Sequence, residues 1–349
     1  MLQPYDLSLP EWTELFQSWG EPAYRARQVW HGLYQRFVQS VDEFTDLPRA
    51  LRARLAEHFR FPPLIPQASI ASRDGQTVKT LFRLGDGQAI EAVLMRYERR
   101  RTLCISTQVG CAMRCVFCAT GQMGFRRHLT AGEIVAQVMY YARQLAEQGE
   151  RVTNIVVMGM GEPFHNYENT LKAVDRLNDA EGYNFGERRV TISTVGLVPM
   201  IRRFTEERRQ VNLAISLHAA DDALRSSLLP VNRKYPLKEV IQACRDYVEK
   251  TRRRVTFEWA LIRDVNDTPE QARRLAGLLK GMLCHVNLIP LNPTLGYKGE
   301  ATTQERARAF QAILQQAGIP CTIRLRRGIE IQAGCGQLAT RDLESSQQA

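Results

Sequence analysis

The chain opens with three short stretches whose apolar residues recur at helical spacing. The first follows Pro10 and ends at Gly20, the second follows Pro22, and the third follows Pro48. Proline in the first turn of a helix and glycine just past its last turn are typical helix boundaries. The pattern therefore predicts a helical accessory domain over residues 1–62.

The spacing of apolar residues changes from helical to alternating at residue 68. Apolar and polar residues alternate from there to residue 107, and the pairs Asp74-Gly75 and Asp86-Gly87 interrupt the alternation. Alternating runs separated by Asp-Gly are typical of antiparallel hairpins. We therefore expect a small antiparallel β extension over residues 63–101.

Beyond this extension, short apolar runs alternate with longer stretches of helical periodicity. This βαβ order favours parallel strands that are each followed by a helix, as in an α/β fold. It predicts a partial TIM-like (β/α)6 barrel over residues 102–340, followed by a polar, disordered tail at 341–349. The six predicted strands are 103–107, 154–158, 190–194, 212–217, 255–261 and 286–291.

Composition and charge restrict the class of partner. The chain has 47 Lys and Arg against 37 Asp and Glu, and arginines cluster at 99–101, 126–127 and 252–254, among other places. Such clusters favour a polyanionic partner because they neutralise phosphates, although each could also be a solvated surface. No apolar run approaches the roughly 18 residues of a membrane span, and the first residues do not resemble a signal peptide. We therefore expect a cytoplasmic protein with no membrane contact.

The densest chemical signal is a run of three cysteines on one predicted loop. Cys111, Cys115 and Cys118 have the spacing Cys-x3-Cys-x2-Cys directly after the first barrel strand. Three thiolates can bind three irons of a [4Fe-4S] cluster and leave the fourth iron open to a cofactor or substrate. The alternative is a structural zinc, which normally needs four ligands and so would have to recruit Cys104 or a distant side chain.

Further polar residues fall at the carboxyl ends of the predicted strands, where barrel active sites assemble. Gly159-Met160-Gly161-Glu162-Pro163 follows the second strand, Ser193 ends the third, Ser216-Leu217-His218 ends the fourth, and Asn292 follows the sixth. Each segment alone fits an ordinary turn or cap. Together they predict one polar mouth suited to a ribose and a carboxylate.

These motifs resemble the radical S-adenosylmethionine superfamily. The resemblance implies that Cys111, Cys115 and Cys118 bind a [4Fe-4S] cluster whose open iron is chelated by the methionine amine and carboxylate of S-adenosylmethionine. Gly161 and Glu162 match the superfamily motif for the cofactor amine. In that superfamily, electron transfer splits the sulfonium and generates a 5′-deoxyadenosyl radical.

The resemblance narrows to the dual-specificity RNA adenine-C2 methyltransferases and their C8-methylating antibiotic-resistance relatives. It runs from Gly20-Glu21-Pro22 to Cys335-Gly336-Gln337-Leu338, nearly the whole chain. Three more motifs carry it, at 107–111, 119–125 and 159–163. Gly334 stands where the family resemblance leads us to expect Ala, a change that we expect to loosen the loop.

The family resemblance implies roles for three residues outside the cluster motif. Cys335 would accept a methyl group from one S-adenosylmethionine, and a second cofactor molecule would yield the radical that abstracts hydrogen from this methyl. Glu91 would accept the proton of the adenine carbon, and Cys104 would release the product through a transient disulfide with Cys335. Taken alone, Glu91 fits a solvent-facing strand position and Cys104 a small buried residue. The implied cofactor-binding residues are Gly161, Glu162, Ser193, Ser216, Leu217, His218 and Asn292.

The implied function is C2 methylation of an adenosine in 23S rRNA and in tRNA, 3′ of the anticodon. The implied enzyme is a monomer that receives electrons from a donor such as flavodoxin or ferredoxin, and the arginines of its helical domain indicate a role in docking RNA. The alternatives are C8 methylation with the same cysteines, a non-catalytic iron-sulfur or zinc protein that binds rRNA, and a maturase that acts on a peptide. Cys335, Cys104 and Glu91 argue against the non-catalytic protein, and the arginine-rich surface argues against the maturase.

Overall fold

A computed structural model provides the structure, and it describes residues 1–324 and 326–340. The tail predicted to be disordered, 341–349, lies outside the described residues. Three helices form the amino-terminal part at the positions that the sequence predicts. They are α1 Leu9–Ser18, α2 Tyr24–Tyr34 and α3 Arg49–His58.

The first helix begins at a capping box. The Ser8 hydroxyl accepts from the Glu11 N–H at 3.4 Å, and the Ser8 N–H donates to the Glu11 carboxylate at 2.6 Å. This reciprocal pair satisfies backbone donors that a helix start leaves unpaired. The buried face of α1 and α2 carries Trp12 and Trp30, which join the same hydrophobic core as the barrel.

The predicted antiparallel extension is present, and it continues the barrel sheet instead of standing apart. Its strands are β1 Ile65–Ala71, β2 Thr77–Arg83 and β3 Ala89–Arg96. They pair antiparallel in sequence order, and β3 pairs antiparallel with β4, Arg101–Cys104, the first strand of the barrel. Residues of the extension therefore reach the barrel interior.

The barrel contains all six predicted strands, and a short seventh strand follows them. From β4 onward, neighbouring strands pair parallel in the order in which they occur along the chain. The strands after β4 are β7 Asn154–Val157, β8 Val190–Thr194, β9 Asn212–Ser216, β10 Val255–Leu261, β11 Cys284–Pro290 and β12 Cys321–Ile323. Among the described residues β1 and β12 are the two edges of this 10-stranded sheet.

Helices connect the parallel strands, as the βαβ pattern predicts. They are α5 Ala131–Ala146, α6 Tyr167–Asn178, α7 Val198–Glu207, α8 Asp222–Leu228, α9 Leu237–Thr251, α10 Pro269–Leu279 and α11 Gln304–Gln316. The hydrophobic core lies between these helices and the sheet. None of the helices described is both long enough and apolar enough to cross a bilayer.

A small hairpin that the sequence did not predict carries the cysteine loop. Its strands are β5 Gln108–Gly110 and β6 Phe125–His128, with the short helix α4, Ala119–Gln122, between them. Gly110 has φ +70°, and a Cβ at this position would lie 1.8 Å from the Gly124 carbonyl oxygen. Only glycine permits this approach of the two strands, and so the hairpin fixes both ends of the cysteine loop.

Candidate functional site

The three clustered cysteines lie on one loop between β5 and α4. The Cys111 N–H donates to the Gly124 carbonyl at 3.0 Å, and the Cys118 N–H donates to the Cys115 carbonyl at 3.2 Å. Gly121 packs against this turn, where a Cβ would lie 2.9 Å from the Cys115 carbonyl oxygen. The backbone therefore folds the loop back on itself, and the three side chains share one region.

The three thiols influence one another electrostatically. Burial, with a contribution from the neighbouring Glu162 and Cys118, raises the pKa of Cys111 to about 12. Burial also raises the pKa of Cys115 well above its usual value, and the charges of Cys118 and Cys111 add to the effect. Thiolates in this arrangement need cationic compensation, which iron or another metal supplies.

The donor set fits an iron-sulfur cluster. In the part of the chain that the structure describes, no group of three or more His, Cys, Asp or Glu side chains is placed to hold a single metal ion. A [4Fe-4S] cluster takes one thiolate per iron, so its ligands are spread around a larger body than one ion. Cys104, the fourth ligand that a zinc site would need, lies on β4, where the charge of Cys335 acts on it.

Gly161 and Glu162 lie beside the cysteine loop, after β7. Gly161 has φ +104°, and a Cβ there would be 2.6 Å from the Gln108 side chain. The buried Glu162 carboxylate accepts from the Phe164 N–H at 2.9 Å and from the Val195 N–H at 2.8 Å. Burial raises the pKa of Glu162 to about 7 despite these hydrogen bonds. The group is therefore a buried acceptor that an ammonium group would match.

The polar residues at the ends of β8 and β9 face one another. The hydroxyl oxygens of Ser193 and Ser216 are 3.3 Å apart. His218 has φ +60°, and its Nδ1 accepts from the Ala260 N–H at 2.9 Å. Burial lowers the pKa of His218 to about 3, and the nearby Arg225 contributes. The imidazole is therefore neutral near pH 7, with its hydrogen on Nε2.

A buried arginine, Arg225 of α8, holds this part of the mouth together. Its guanidinium donates to the Val195 carbonyl at 2.6 Å and to the carbonyl of the buried Leu217 at 3.1 Å. It also donates to the Asn232 side chain at 2.7 Å. The loops after β8 and β9 are therefore fixed by one side chain, which the sequence did not single out.

Asn292 joins the mouth to the segment that carries Cys335, residues 332–339, which we call the Cys335 segment. Its Nδ2 donates to the Cys335 carbonyl at 3.1 Å, while its buried Oδ1 has no hydrogen-bond partner within residues 1–324 and 326–340. A Cβ at Gly334 would lie 2.6 Å from the same Nδ2. Glycine therefore allows the segment to pack closely on Asn292, whereas the sequence led us to expect only a looser loop.

The Cys335 segment also lies on the cysteine loop. The Ala119 N–H donates to the Gly336 carbonyl at 2.7 Å, and the Thr120 hydroxyl donates to the Leu338 carbonyl at 2.6 Å. These bonds join residues that are more than 200 positions apart in sequence. They bring the segment that carries Cys335 against α4, directly after Cys118.

Cys335 and Cys104 are both free thiols. Cys335 is accessible to solvent, yet surrounding protein atoms raise its pKa, and the charge of Arg324 lowers it in part. Burial raises the pKa of Cys104, and an ionised Cys335 raises it further. The charge of Cys118 also acts on Cys335, and the charge of Cys335 acts on Cys104, so the three thiols are close enough to influence one another.

Glu91 is fully buried on β3, not solvent-facing as its position in the sequence alone suggested. One carboxylate oxygen is 2.9 Å from the Lys79 ammonium, and the other accepts from the Ala339 N–H at 2.9 Å. Lys79 is 3% exposed, so the two charges form a buried ion pair. The pair lies against the segment that contains Cys335.

Sequence reasoning missed four charged residues of this region: Lys79, Arg225, Glu258 and Arg324. Glu258 carried a signal, since it is the only charge in the strand β10, whereas Lys79 shares β2 with Arg83 and two threonines. The buried Glu258 accepts from Asn287 at 2.9 Å, and burial raises its pKa while Arg324 lowers it in part. Arg225 carried no local signal, because its partners lie on three separate loops, and Arg324 acts on Glu258 from a distant segment.

Comparisons with known proteins identify the family to which the chain belongs. Residues 105–276 match the radical SAM superfamily, and residues 5–60 match the ribosomal RNA large subunit methyltransferase N-terminal domain. A probable dual-specificity RNA methyltransferase RlmN from Chloroflexus aurantiacus is 53% identical over 97% of this chain and 92% of its own. The dual-specificity RNA methyltransferase RlmN 1 of Myxococcus xanthus is 53% identical over 96% of this chain and 93% of its own.

A solved structure shares the whole fold. The crystal structure of a radical SAM methyltransferase from Sphaerobacter thermophilus has a TM-score of 0.95 to this chain at 54% sequence identity. The match covers 97% of this chain and 99% of the other.

Proposed function

Because the chain belongs to the dual-specificity RNA methyltransferase family of the radical SAM superfamily, we propose that it methylates C2 of an adenosine in 23S rRNA and in tRNA. The tRNA adenosine would be the one 3′ of the anticodon. Members of this family are enzymes, so the alternative of a non-catalytic iron-sulfur or zinc protein does not apply.

One observation carries the proposal: the segment around Cys335 lies across the mouth. Asn292 holds the Cys335 carbonyl, and Ala119, next to Cys118, holds the Gly336 carbonyl. A thiol at this place can carry a carbon between a cofactor at the cysteine loop and a base that enters the mouth. Such positioning is a major source of catalytic rate.

The cofactors of the proposed reaction are a [4Fe-4S] cluster and two molecules of S-adenosylmethionine per turnover. Cys111, Cys115 and Cys118 would bind the cluster, which supplies one-electron chemistry to S-adenosylmethionine. Glu162 and the glycine turn at Gly161 would receive the cofactor amine. Ser193, Ser216, Leu217, His218 and Asn292 would line the rest of its site, and the buried Asn292 oxygen without a partner among the described residues supports this placement.

The remaining steps would fall to three side chains. Cys335 would accept the methyl group and hold its carbon during transfer to adenine. After the radical carbon has added to the ring, the unpaired electron of the adduct would return to the oxidised cluster, and Glu91 would take the proton of the ring carbon. The Cys104 sulfur would then attack the Cys335 sulfur, so that a disulfide forms and the electron pair of the broken sulfur–carbon bond stays with the carbon, which becomes the product methyl after protonation.

The partners of the enzyme follow from the same proposal. The substrates would be 23S rRNA and tRNA, with an electron donor such as flavodoxin or ferredoxin, and the enzyme would act as a cytoplasmic monomer. The helical part at residues 1–62 would help to dock RNA. Arg49 at the start of α3 is exposed and supports this role, whereas Arg27 and Arg36 form ion pairs with Glu181 and Asp46.

Mass spectrometry of digested RNA tests the proposal. Anaerobically reconstituted enzyme, with about four irons per chain, is incubated with S-adenosylmethionine, a reductant and unmodified tRNA or a 23S rRNA fragment. We expect 2-methyladenosine with the wild-type enzyme and no methylated adenosine with Cys111→Ala. Formation of 8-methyladenosine would contradict the C2 assignment. Normal methylation by Cys111→Ala would show that the cluster lies elsewhere.

A further inference from the structure

We infer that Lys79 is a positioning residue, which keeps Glu91 able to accept a proton and holds the Cys335 segment beside it. The inference rests on the proposed function, because it concerns the base of that reaction. It assigns a role to a residue outside all the motifs described above. Lys79 acts through Glu91 and takes no part in the chemistry itself.

Lys79 and Glu91 form an ion pair on one face of the sheet. Lys79 on β2 stands opposite Val93 on β3, so it is the diagonal neighbour of Glu91 on the same face of the sheet. Its ammonium is 2.9 Å from a Glu91 oxygen, and both side chains are less than 5% exposed. Removing either partner would take a compensating charge away from the other in the interior, which is unfavourable. The pair is therefore a fixed part of the structure.

The ion pair contacts the chain both before and after Cys335 in sequence. The Lys79 ammonium is 3.5 Å from the Gln332 carbonyl, three positions before the cysteine. The second Glu91 oxygen accepts from the Ala339 N–H, four positions after it, at 2.9 Å. The two charges thus anchor the ends of the loop that presents the Cys335 sulfur. The pair therefore contains the proposed proton acceptor, Glu91, and also holds the loop whose sulfur would carry the carbon.

Lys79 also affects whether Glu91 can accept a proton. When the carbon on Cys335 has added to adenine C2 as a radical, the unpaired electron of the adduct would return to the oxidised iron-sulfur cluster. The C2–H bond then breaks, the proton moves to a Glu91 oxygen, and the electron pair of the bond stays in the ring. Only the carboxylate form of Glu91 can accept this proton. A buried carboxylate that loses a neighbouring cation tends to hold a proton of its own. Lys79 therefore favours the form of Glu91 that the reaction needs.

The test compares Lys79→Met, Lys79→Arg and Glu91→Gln in the full-length, reconstituted enzyme with tRNA. We expect Lys79→Met to methylate Cys335 and to cleave S-adenosylmethionine, but to form free product about 100-fold more slowly. A covalent adduct between Cys335 and RNA should accumulate, as in Glu91→Gln, on denaturing gels and by intact mass. Lys79→Arg keeps the charge and should restore turnover. Lys238→Met, at an exposed lysine of α9, is the matched control and should behave as wild type.

Thermal unfolding without RNA separates positioning from a folding defect. Lys79→Met should melt at a lower temperature than the wild type, and the double variant Lys79→Met, Glu91→Gln should recover part of the loss because residue 91 then carries no charge beside the missing ammonium. If Lys79→Met has wild-type turnover, or loses Cys335 methylation without forming an adduct, the inference is wrong. If Glu91→Gln itself turns over normally, the proposed role of Glu91 fails instead.

Discussion

The two ends of the parallel strands differ in how they use charge. At the carboxyl ends, buried groups such as Glu162 and His218 are held by backbone hydrogen bonds and point into the mouth. At the amino ends, arginines stand in the turns that lead into the strands. Arg209, before β9, is 3.2 Å from Glu187, which lies before β8, and Arg253, before β10, donates to Asn212 of β9 at 2.9 Å.

Arginines that are adjacent in sequence can differ in role: one bonds to a neighbouring segment while the next is exposed to solvent. Arg253 bonds to a neighbouring strand, whereas Arg252 and Arg254 on either side of it are exposed. The same holds for the pair at 126–127: Arg127 pairs with Asp86 at 2.6 Å and Glu133 at 2.7 Å, while Arg126 is exposed. Of these clusters, only the pair at 126–127 stands beside the cysteine loop, on β6.

The largest effects are expected from replacing Cys335 and Cys104, the two cysteines outside the cysteine loop that the proposal uses. Cys335→Ala removes the carrier of the carbon, so neither methylated RNA nor a covalent adduct should form. Cys104→Ala should complete addition and then stall as an adduct through Cys335, because no second sulfur is present to release it. Intact-mass analysis after reaction distinguishes the variants. Normal turnover by Cys104→Ala, or an adduct in Cys335→Ala, would overturn the assigned roles.

A smaller effect is expected from the buried carboxyl group of Glu162. Its pKa of about 7 in the folded chain lies above the usual value near 4.5, so between these pH values the folded state holds a proton that the unfolded state has lost. Stability from this group is present at low pH and is lost as the pH rises to 7. Compared with Glu162→Gln, the cofactor-free wild type should lose at most about 1.4 kcal/mol of unfolding free energy per pH unit in this range. Parallel pH profiles of the two proteins in denaturant titrations would contradict the assignment.

The smallest effects should separate the two ends by RNA affinity. Arg126→Ala should weaken tRNA binding roughly fivefold and reduce the salt dependence by about one phosphate contact. Arg252→Ala at the opposite end should leave binding unchanged. Filter binding at several salt concentrations measures both variants. Equal losses would mean that RNA wraps around the barrel to reach both ends.

The local part of the fold was predictable from the sequence. The six barrel strands and the three amino-terminal helices appear where periodicity and turn residues predicted them, because each signal is contained within a few neighbouring residues. The hairpin of β5 and β6 was missed, since its strands are only three and four residues long. The strand β12 was missed for the same reason.

The site was only partly predictable, because much of it is formed by contacts between distant segments. The cysteine loop and the turn at Gly161 could be read as motifs. The packing of the Cys335 segment on Asn292 and Thr120 could not, because it joins residues 43 and 218 positions apart. Lys79 could not be matched with Glu91 until the register of β2 and β3 was known.

The hydrogen bonds between the Cys335 segment and the cysteine loop have a consequence for the order of synthesis. On the ribosome the cysteine loop is made long before the residues that cover it, and Cys335 is among the last of the described residues to emerge. A chain that stops short of Gly334 would keep the loop and the barrel but would lack the carrier and its cover. Synthesis of the segment that carries Cys335 is thus the event that joins the cofactor loop to the sulfur that would receive the methyl group.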